Sequence, residues 1–516
     1  MTGFSRPGWG AAVACVAALM VMPLWLVQAP PMPDYPAHLA SYYLIATSAK
    51  APAVTTFYSI HWAWIPNLAG EILVPLLSTI AGLEMATRLF ITTGVVMWVV
   101  GPALIHRALH KRFNVTALIA ALFAYNANFT WGFLNYYFAM GAALCLLAAW
   151  IATDGRRTAL HLAGFALAIT AIYFSHIFAA ATLFLLIACF ELDGVIRTFS
   201  VREVFHRCIA VVVPFVPAGL AFLFLKPKGS GGALEFNLLD RALDRLEAAL
   251  QLSYDNPSYV LLALLAILLL TGLWRGWIVI HRRMWIALGT LGVLTMFAPE
   301  WAMGGWGVDL RLPAVLGALI FASLEFRLEP RATWALTVAT TAVLLCNVIY
   351  LAQEWTAYDT QWREFRDAAR TLKPGTKLLT VLDGDAIGFR SDQPYWHMAE
   401  YAIVDPGAFT PLLFTTHDQH IVQLNPAYQS IAASSAQQGS PPDIDELNDL
   451  ATSQIDEDED IRDVFPYLMR FQCHYDVAVV IHLDGPRAQI PPMLKLRHVG
   501  SFFSLYDIIP QNCGAK

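Results

Sequence analysis

Long apolar runs separated by short polar stretches dominate the first 353 residues of the chain. Eleven of these runs approach the roughly 20 residues that a helix needs to cross a bilayer. The pattern therefore predicts a mainly α-helical, polytopic membrane protein with about eleven transmembrane helices. The predicted spans are residues 9–29, 86–106, 115–130, 132–152, 158–174, 176–192, 208–225, 258–274, 283–299, 309–326 and 332–353.

A twelfth run, residues 66–82, is short for a span and contains Glu71 and Pro75. Short cytoplasmic loops of membrane proteins collect Lys and Arg. If this run lies along the membrane surface and the N-terminus is cytoplasmic, the inner loops hold 14 of these cations and the opposite side of the membrane part holds seven. If the run crosses, the bias reverses. We therefore expect a cytoplasmic N-terminus and an outer loop over residues 30–85 that contains surface helices.

The composition changes after residue 353. The whole chain is 57% hydrophobic and 14% charged, whereas soluble domains carry roughly 25% charged residues. Residues 1–353 have a net charge of +5 and residues 354–516 a net charge of −11. Two domains follow, a transmembrane domain over residues 1–353 and a soluble, extracytoplasmic domain over residues 354–516. Neither has a basic face that could bind nucleic acid phosphates, so a nucleic-acid partner is excluded.

The pattern of the tail is typical of a small α/β domain. Residues 354–372 have a helical pattern that ends at Pro374-Gly375, and short β-rich segments follow. We expect a loop over Ser430–Asp460, which is rich in Ser, Gln, Pro and acidic residues. The predicted strands are Lys377–Leu382, Val477–His482 and Phe502–Ile508.

Five of the seven cysteines lie in or at predicted spans, and two, Cys473 and Cys513, lie in the tail. Outside the cytoplasm these two could form a disulfide, and two free thiols fit the sequence equally well. Neither CxxC nor metal-finger spacing occurs.

The unusual polar residues of the membrane part gather at the outer ends of the predicted spans. Isolated ionisable groups at this depth are costly and generally face a cavity or a partner, so a polar cavity that opens outward is expected. Simpler interpretations exist: Asp34 could cap a helix, His176 could be the tip of a helical hairpin, and Asp309 could be an N-cap. The candidates are Asp34, His38, Arg88, Asn135, Tyr136, His176, Glu300, Asp309 and Arg311, with Lys226 and Lys228 at the outer end of the seventh span.

The order of several short motifs resembles the type C membrane glycosyltransferases, the GT-C superfamily. The similar segments are Asp34-Tyr35-Pro36-Ala37-His38-Leu39, Pro66-Asn67-Leu68, Ala86-Thr87-Arg88-Leu89 and Trp131-Gly132-Phe133-Leu134-Asn135-Tyr136. The resemblance covers essentially the whole chain and is closest to bacterial members that begin with Asp-x-Pro-x-His. Many family members have two adjacent acids in the first outer loop, whereas here Tyr35 follows Asp34. This departure argues against a bound divalent metal, and no other cofactor is expected.

The resemblance implies an enzyme of the bacterial inner membrane that takes a sugar from a polyprenyl-phosphate donor and inverts the anomeric carbon. It implies that Asp34 is the general base, with His38 beside it in the catalytic group. Arg311 and Arg88 would hold the leaving phosphate, with His176 or His38 as an additional donor, and Lys226 and Lys228 would hold a lipid phosphate. Sugar hydroxyls would be bound by Asn135, Tyr136, Glu300 and Asp309. The acceptor could be a glycan, a lipid or a protein.

Two other classes of protein fit the same pattern. A transporter or flippase for a lipid-linked sugar would share the polar cavity, but it is expected to have polar groups or broken helices near mid-span and internal symmetry. Neither feature is evident in the sequence. A catalytically inactive scaffold subunit of an envelope glycan assembly is the other alternative, because the first outer loop contains a single acid.

Overall fold

A computed structural model describes the chain in two compact units. The membrane unit comprises Met1–Leu26, Trp64–Gly70 and Arg88–Gln353, and the sheet unit comprises Val27–Ala63, Glu71–Thr87 and Glu354–Lys516. The predicted outer loop is thus grouped mainly with the tail rather than with the spans. The described residues are 6–47, 51–112, 114–198, 200–225, 234–253, 258–384, 392–417, 419–434, 440–452, 465–483, 487–511 and 513.

Each of the eleven apolar runs contains an α-helix or a 3-10 helix, which confirms the predicted fold class in its helical part. Among the described residues, six helices are long and apolar enough to cross a membrane, and the number of crossings stays a prediction. A two-stranded antiparallel hairpin joins Ile278–Ile280 to Leu324–Phe326. The helices are Arg6–Leu26, Leu83–His110, Ala127–Thr130, Leu134–Ala152, Ala159–Ser175, Ile177–Thr198, Val201–Leu225, Ala242–Ala248, Tyr259–Trp274, Trp285–Phe297, Leu312–Ser323 and Pro330–Ala369, with 3-10 turns at Val115–Ala124 and Arg282–Met284.

Close backbone contact joins two helices of the membrane unit, Leu83–His110 and Leu134–Ala152. A Cβ atom at Gly101 would lie 2.8 Å from the Cβ of Leu144, and one at Gly141 would lie 2.9 Å from the Cβ of Met97. Only glycine fits at both positions. Because lipid is as apolar as a leucine side chain, helices in a membrane associate through this kind of close packing.

The sheet unit is built on four strands in the order Leu378–Asp383, Val477–His482, Phe503–Ile508, Leu494–Val499. The first pair is parallel and the other two pairs are antiparallel. Three of these strands match the predicted ones to within one residue at each end. The strand Leu494–Val499 was missed, because its mostly exposed Lys, Arg and His side chains give it the polar character of a protected edge strand.

The segment after the first apolar helix packs into the core of the sheet unit. Its helix Tyr35–Thr47 places Ala37 and Leu44 in one buried cluster with Leu379 and Phe409 of the tail, and Tyr58–Ile60 pairs antiparallel with Val422–Leu424. The other helices and turns that have residues in this unit are Pro52–Thr55, Ala69–Ala81, Gln393–Tyr395, Met398–Glu400, Tyr401–Val404, Pro426–Ile431, Ile444–Thr452, Pro466–Leu468 and Phe471–His474.

Two features of the tail settle or correct the sequence interpretation. Cys473 and Cys513 are joined in a disulfide, 40 residues apart in sequence. The region predicted as a loop, Ser430–Asp460, contains the helix Ile444–Thr452, whose acidic first turn suits the positive end of the helix dipole.

Candidate functional sites in the two units

Asp34 begins the helix Tyr35–Thr47 of the sheet unit. Its carbonyl oxygen accepts a hydrogen bond from the backbone N–H of His38 at 2.9 Å, which gives Asp34 the N-cap position of the helix. Its side chain is half-buried. A carboxylate at a helix N-terminus is stabilised by the helix dipole, so the helix favours the ionised form that a general base requires.

His38 lies one turn further along the same helix and is 8% exposed. Its ring stacks on Tyr42, with 5.9 Å between centroids, and meets the ring of Phe414 at 6.0 Å. The Phe414 ring also contacts His397 at 4.7 Å and His420 at 5.6 Å. Three imidazoles therefore surround one aromatic ring. Two of them, His397 and His420, come from the tail, where no motif indicated them.

His397 and Glu400 form a buried pair in this cluster. They are 1% and 0% exposed, and Nδ1 of His397 lies 3.5 Å from Oε1 of Glu400. Burial lowers the pKa of His397, but the carboxylates of Glu400 and Asp34 outweigh it and raise that pKa above its ordinary value. The pair therefore favours a positively charged imidazole whose field acts on the Asp34 carboxylate.

In the membrane unit, Arg311 begins the helix Leu312–Ser323 and is 7% exposed. Its guanidinium carbon lies 5.1 Å from the ring centre of Phe133, 5.0 Å from that of Phe178 and 5.6 Å from that of Tyr136. Aromatic faces at these distances stabilise a cation.

Two other candidate residues, Tyr136 and His176, lie near Arg311. The Tyr136 hydroxyl donates to the carbonyl of Arg311 at 2.9 Å, and the His176 ring lies 5.2 Å from the Tyr136 ring. The structure thus brings Tyr136 and His176 together with the buried guanidinium of Arg311.

Asp309 and Glu300 lie in a second cluster of the membrane unit. Asp309 is fully buried, and its carboxylate accepts two hydrogen bonds from Arg241 at 2.8 and 3.2 Å, with Arg245 at 3.3 Å. Glu300 accepts hydrogen bonds from Trp306 at 2.8 Å and from Asn237 at 2.6 Å. Sequence reasoning missed Arg241 and Arg245, although their four-residue spacing puts two cations on one helix face.

Two further candidates that the structure describes, Asn135 and Arg88, have contacts with other residues. The Asn135 side chain accepts from the backbone N–H of Gly70 at 2.7 Å and donates to Asn67 at 3.0 Å, so it fixes the loop before the helix Ala69–Ala81. The Arg88 guanidinium lies over the Trp25 ring at 5.6 Å. Lys226 and Lys228 lie outside the described residues.

The two sets differ in the chemistry they can perform. The sheet unit presents a carboxylate, Asp34, beside groups that can carry protons. The membrane unit presents a buried guanidinium beside a tyrosine and a histidine, a combination suited to an anion. Among the described residues, no group of three or more His, Cys, Asp or Glu side chains could hold a metal ion.

No family model and no curated protein matches the chain. Among solved structures, the chain is similar to ArnT from Cupriavidus metallidurans bound to undecaprenyl phosphate, with 13% identity, a TM-score of 0.48 and coverage of 99% of this chain and 100% of that chain. It is also similar to ArnT from the same organism in the apo state, with 13% identity, a TM-score of 0.49 and coverage of 99% of both chains.

Proposed function

We propose that this protein is a membrane glycosyltransferase that transfers a sugar from a polyprenyl-phosphate donor to an acceptor on the outer side of the bacterial inner membrane. The observation that carries the proposal is the setting of Asp34, a half-buried carboxylate at a helix N-terminus beside the buried His397–Glu400 pair. The motif resemblance around Asp34 supports the same role. Arg311 is argued separately, from contacts within its own unit.

Asp34 is the general base of the proposed reaction. Its carboxylate accepts the proton of an acceptor hydroxyl while that oxygen attacks the anomeric carbon of the donor sugar. The bond from the anomeric carbon to the phosphate oxygen breaks, polyprenyl phosphate leaves with the electron pair, and the anomeric configuration inverts. A positioned base of this kind contributes about 10²- to 10⁴-fold to the rate.

His397 is the positioning residue for this base. Burial lowers the pKa of His397, and the carboxylates of Glu400 and Asp34 raise it above its ordinary value, so the imidazole and Asp34 are electrostatically coupled. His38, one helical turn from Asp34, is the neighbouring candidate for hydrogen bonding to the acceptor.

Arg311 is the group for the departing phosphate. Negative charge develops on that phosphate as the bond breaks, and a donor already in place stabilises it most in a site that excludes water. His176 is a second donor, and Arg88, Lys226 and Lys228 are further candidates for phosphate. Asn135, Tyr136, Glu300 and Asp309 are the candidates for sugar hydroxyls.

A transfer assay tests the proposal. The purified full chain in lipid is offered radiolabelled polyprenyl-phosphate sugars with an envelope extract as acceptor, beside Asp34→Asn and the matched control Asp367→Asn, an exposed acid. We expect incorporation by wild type and control, and a loss of at least about 100-fold in Asp34→Asn. Equal incorporation by all three would remove Asp34 from the base role. No incorporation by a folded wild type would favour the transporter or scaffold alternatives.

The orientation is a separate part of the proposal. The distribution of Lys and Arg supports a cytoplasmic N-terminus and an extracytoplasmic tail. Cysteines introduced at the exposed positions Arg156 and Gln511, in a chain otherwise free of unpaired cysteines, can be labelled with a membrane-impermeant reagent in intact spheroplasts. We expect labelling at position 511 and protection at 156, and the reverse pattern would overturn this orientation.

A further inference from the structure

A cavity of about 480 Å³ lies in the sheet unit. Its lining residues do not include Asp34, His397 or Glu400. It is formed around the end of the strand Val422–Leu424, the 3-10 turn Pro426–Ile431 and the start of the turn Pro466–Leu468. Its volume falls within the range of roughly 300 to 1,000 Å³ that is typical of small-molecule sites. Neither the sequence motifs nor the proposed reaction uses any of its residues.

The lining of this cavity is more apolar than polar, and its polar part consists mainly of uncharged side chains. Hydroxyl and amide side chains form the polar part. Among the described lining residues none is Lys, Arg, Asp or Glu, and His417 is the one imidazole. These side chains offer a ligand neutral hydrogen-bonding groups. The hydroxyl and amide residues are Thr415, Thr416, Gln423, Gln429, Ser430 and Ser434.

An apolar side completes the lining, with Leu424, two alanines, Pro466 and the ring of Tyr467. Tyr467 is 1% exposed, and its hydroxyl has no hydrogen-bond partner among the described residues. A ligand that matches this lining must have many uncharged hydroxyl or amide groups and also an apolar face. Sugar rings have both, since their hydroxyls point outward from the ring edge and their C–H groups form a face that packs on aromatic and aliphatic side chains.

We propose that this cavity binds a neutral saccharide and that the saccharide is the carbohydrate part of the acceptor. The second half of this proposal rests on the proposed transferase function, and the first half does not. An amide such as that of Gln429 both donates and accepts, so it can hold adjacent hydroxyls of one sugar ring.

Ligand-observed saturation-transfer NMR on the full chain in detergent tests the proposal. The probes are the neutral disaccharides maltose, lactose and N,N′-diacetylchitobiose, with glucose 6-phosphate and glucuronic acid as charged comparators. Ser430→Trp fills the cavity, and Ala427→Trp is the matched control, an exposed residue of the same 3-10 turn that does not line the cavity. Gln429→Ala, with the exposed Gln511→Ala as its control, measures the contribution of one amide.

We expect at least one neutral disaccharide to bind wild type and Ala427→Trp and to lose binding in Ser430→Trp. Gln429→Ala should raise its Kd about three- to tenfold, the effect of one hydrogen bond, with no change in Gln511→Ala. Absence of binding by every disaccharide, equal binding of the charged comparators, or unchanged binding in Ser430→Trp would each overturn the proposal.

Failure of this inference is distinguishable from failure of the transferase proposal. Asp34→Asn should bind the saccharide as wild type does, because Asp34 does not line the cavity. Binding without transfer by wild type would leave a saccharide site and remove its acceptor role. Transfer unaffected by Ser430→Trp would likewise show that the acceptor binds elsewhere.

Discussion

The two candidate clusters differ in how a buried charge is stabilised. In the membrane unit, the charge of Arg311 is surrounded by the aromatic rings of Phe133, Tyr136 and Phe178. In the sheet unit, the charge of His397 is matched by the carboxylates of Glu400 and Asp34. Aromatic faces stabilise a cation through the partial negative charge of their π-systems. A carboxylate partner neutralises the cation.

The difference predicts which of the two buried cations, His397 or Arg311, contributes more to the stability of the fold. A buried ion pair that loses one partner leaves an uncompensated charge and destabilises the protein. Loss of the Arg311 guanidinium removes several ring contacts and, under the proposed function, the donor to the departing phosphate. We therefore expect the loss of His397 to lower the stability of the protein more than the loss of Arg311 does. The loss of Arg311 should lower the transfer rate while stability changes little.

The largest effect on stability is expected for His397→Ala. Removing the imidazole leaves Glu400 fully buried without its cation, which costs about 3–5 kcal/mol. Thermal unfolding of the full chain and hydrogen exchange in the strands Leu378–Asp383 and Val477–His482 measure the loss. In a double-mutant cycle, Glu400→Gln should cost much less in the His397→Ala background than in wild type. Equal costs in the two backgrounds would show that the two residues do not act as a pair.

Arg311→Gln is expected to lower kcat of transfer about 10²- to 10³-fold, the effect of removing one donor from a site of developing negative charge. Arg311→Lys keeps the charge but loses the planar guanidinium, so it should retain an intermediate activity. The control is Arg331→Gln, an exposed arginine of the helix Pro330–Ala369. Full activity in Arg311→Gln would contradict the phosphate role and end the functional contrast between the clusters.

The sequence predicted the membrane unit better than the sheet unit, and the reason is physical. In apolar spans each polar residue is conspicuous, because its burial is expensive unless it has a partner or a function. Arg311, Tyr136 and His176 were therefore identified from the sequence, and the structure brings them together. The roles of these residues stay predictions.

In the soluble-looking tail, His397 and Glu400 occur in a region where charged and polar residues are ordinary. Their burial depends on contacts with the segment that contains His38, more than 350 residues earlier, and no local pattern indicates such a contact. The grouping of Val27–Ala63 with the tail was missed for the same reason. Hydrophobic periodicity identifies strands such as Val477–His482 but does not indicate which distant segment covers them.

Reduction of the disulfide Cys473–Cys513 tests whether the stability of the sheet unit is independent of the membrane unit. The disulfide closes a stretch of 40 residues, and its loss should cost about 2–4 kcal/mol. We expect Cys473→Ser with Cys513→Ser to increase hydrogen exchange in the strands Val477–His482 and Phe503–Ile508. Exchange in Leu134–Ala152 should stay unchanged, and an equal increase there would show that the two units unfold together.

The smallest expected effect is a pH dependence with opposite contributions from two histidines on the Phe414 ring. Burial lowers the pKa of His397, but Glu400 and Asp34 raise it more, so that the pKa lies above its ordinary value. Burial lowers the pKa of His420 from 6.5 to about 4. The stability that His397 provides is present below about pH 6.5 and is lost as the pH rises through its raised pKa.

For His420 the sign is reversed. Between about pH 6.5 and pH 4 the unfolded chain takes up a proton that the folded chain does not, so stability falls as the solution becomes more acidic. Thermal unfolding of the full chain is measured as a function of pH for each histidine variant. The difference between variant and wild type at each pH gives the contribution of that histidine. His397→Gln should remove the loss on the alkaline side, and His420→Gln should remove part of the loss on the acidic side. A His397→Gln variant whose profile still falls above about pH 6.5 as wild type does would show that the imidazole is uncharged in the folded protein, which would remove the electrostatic difference between the two clusters.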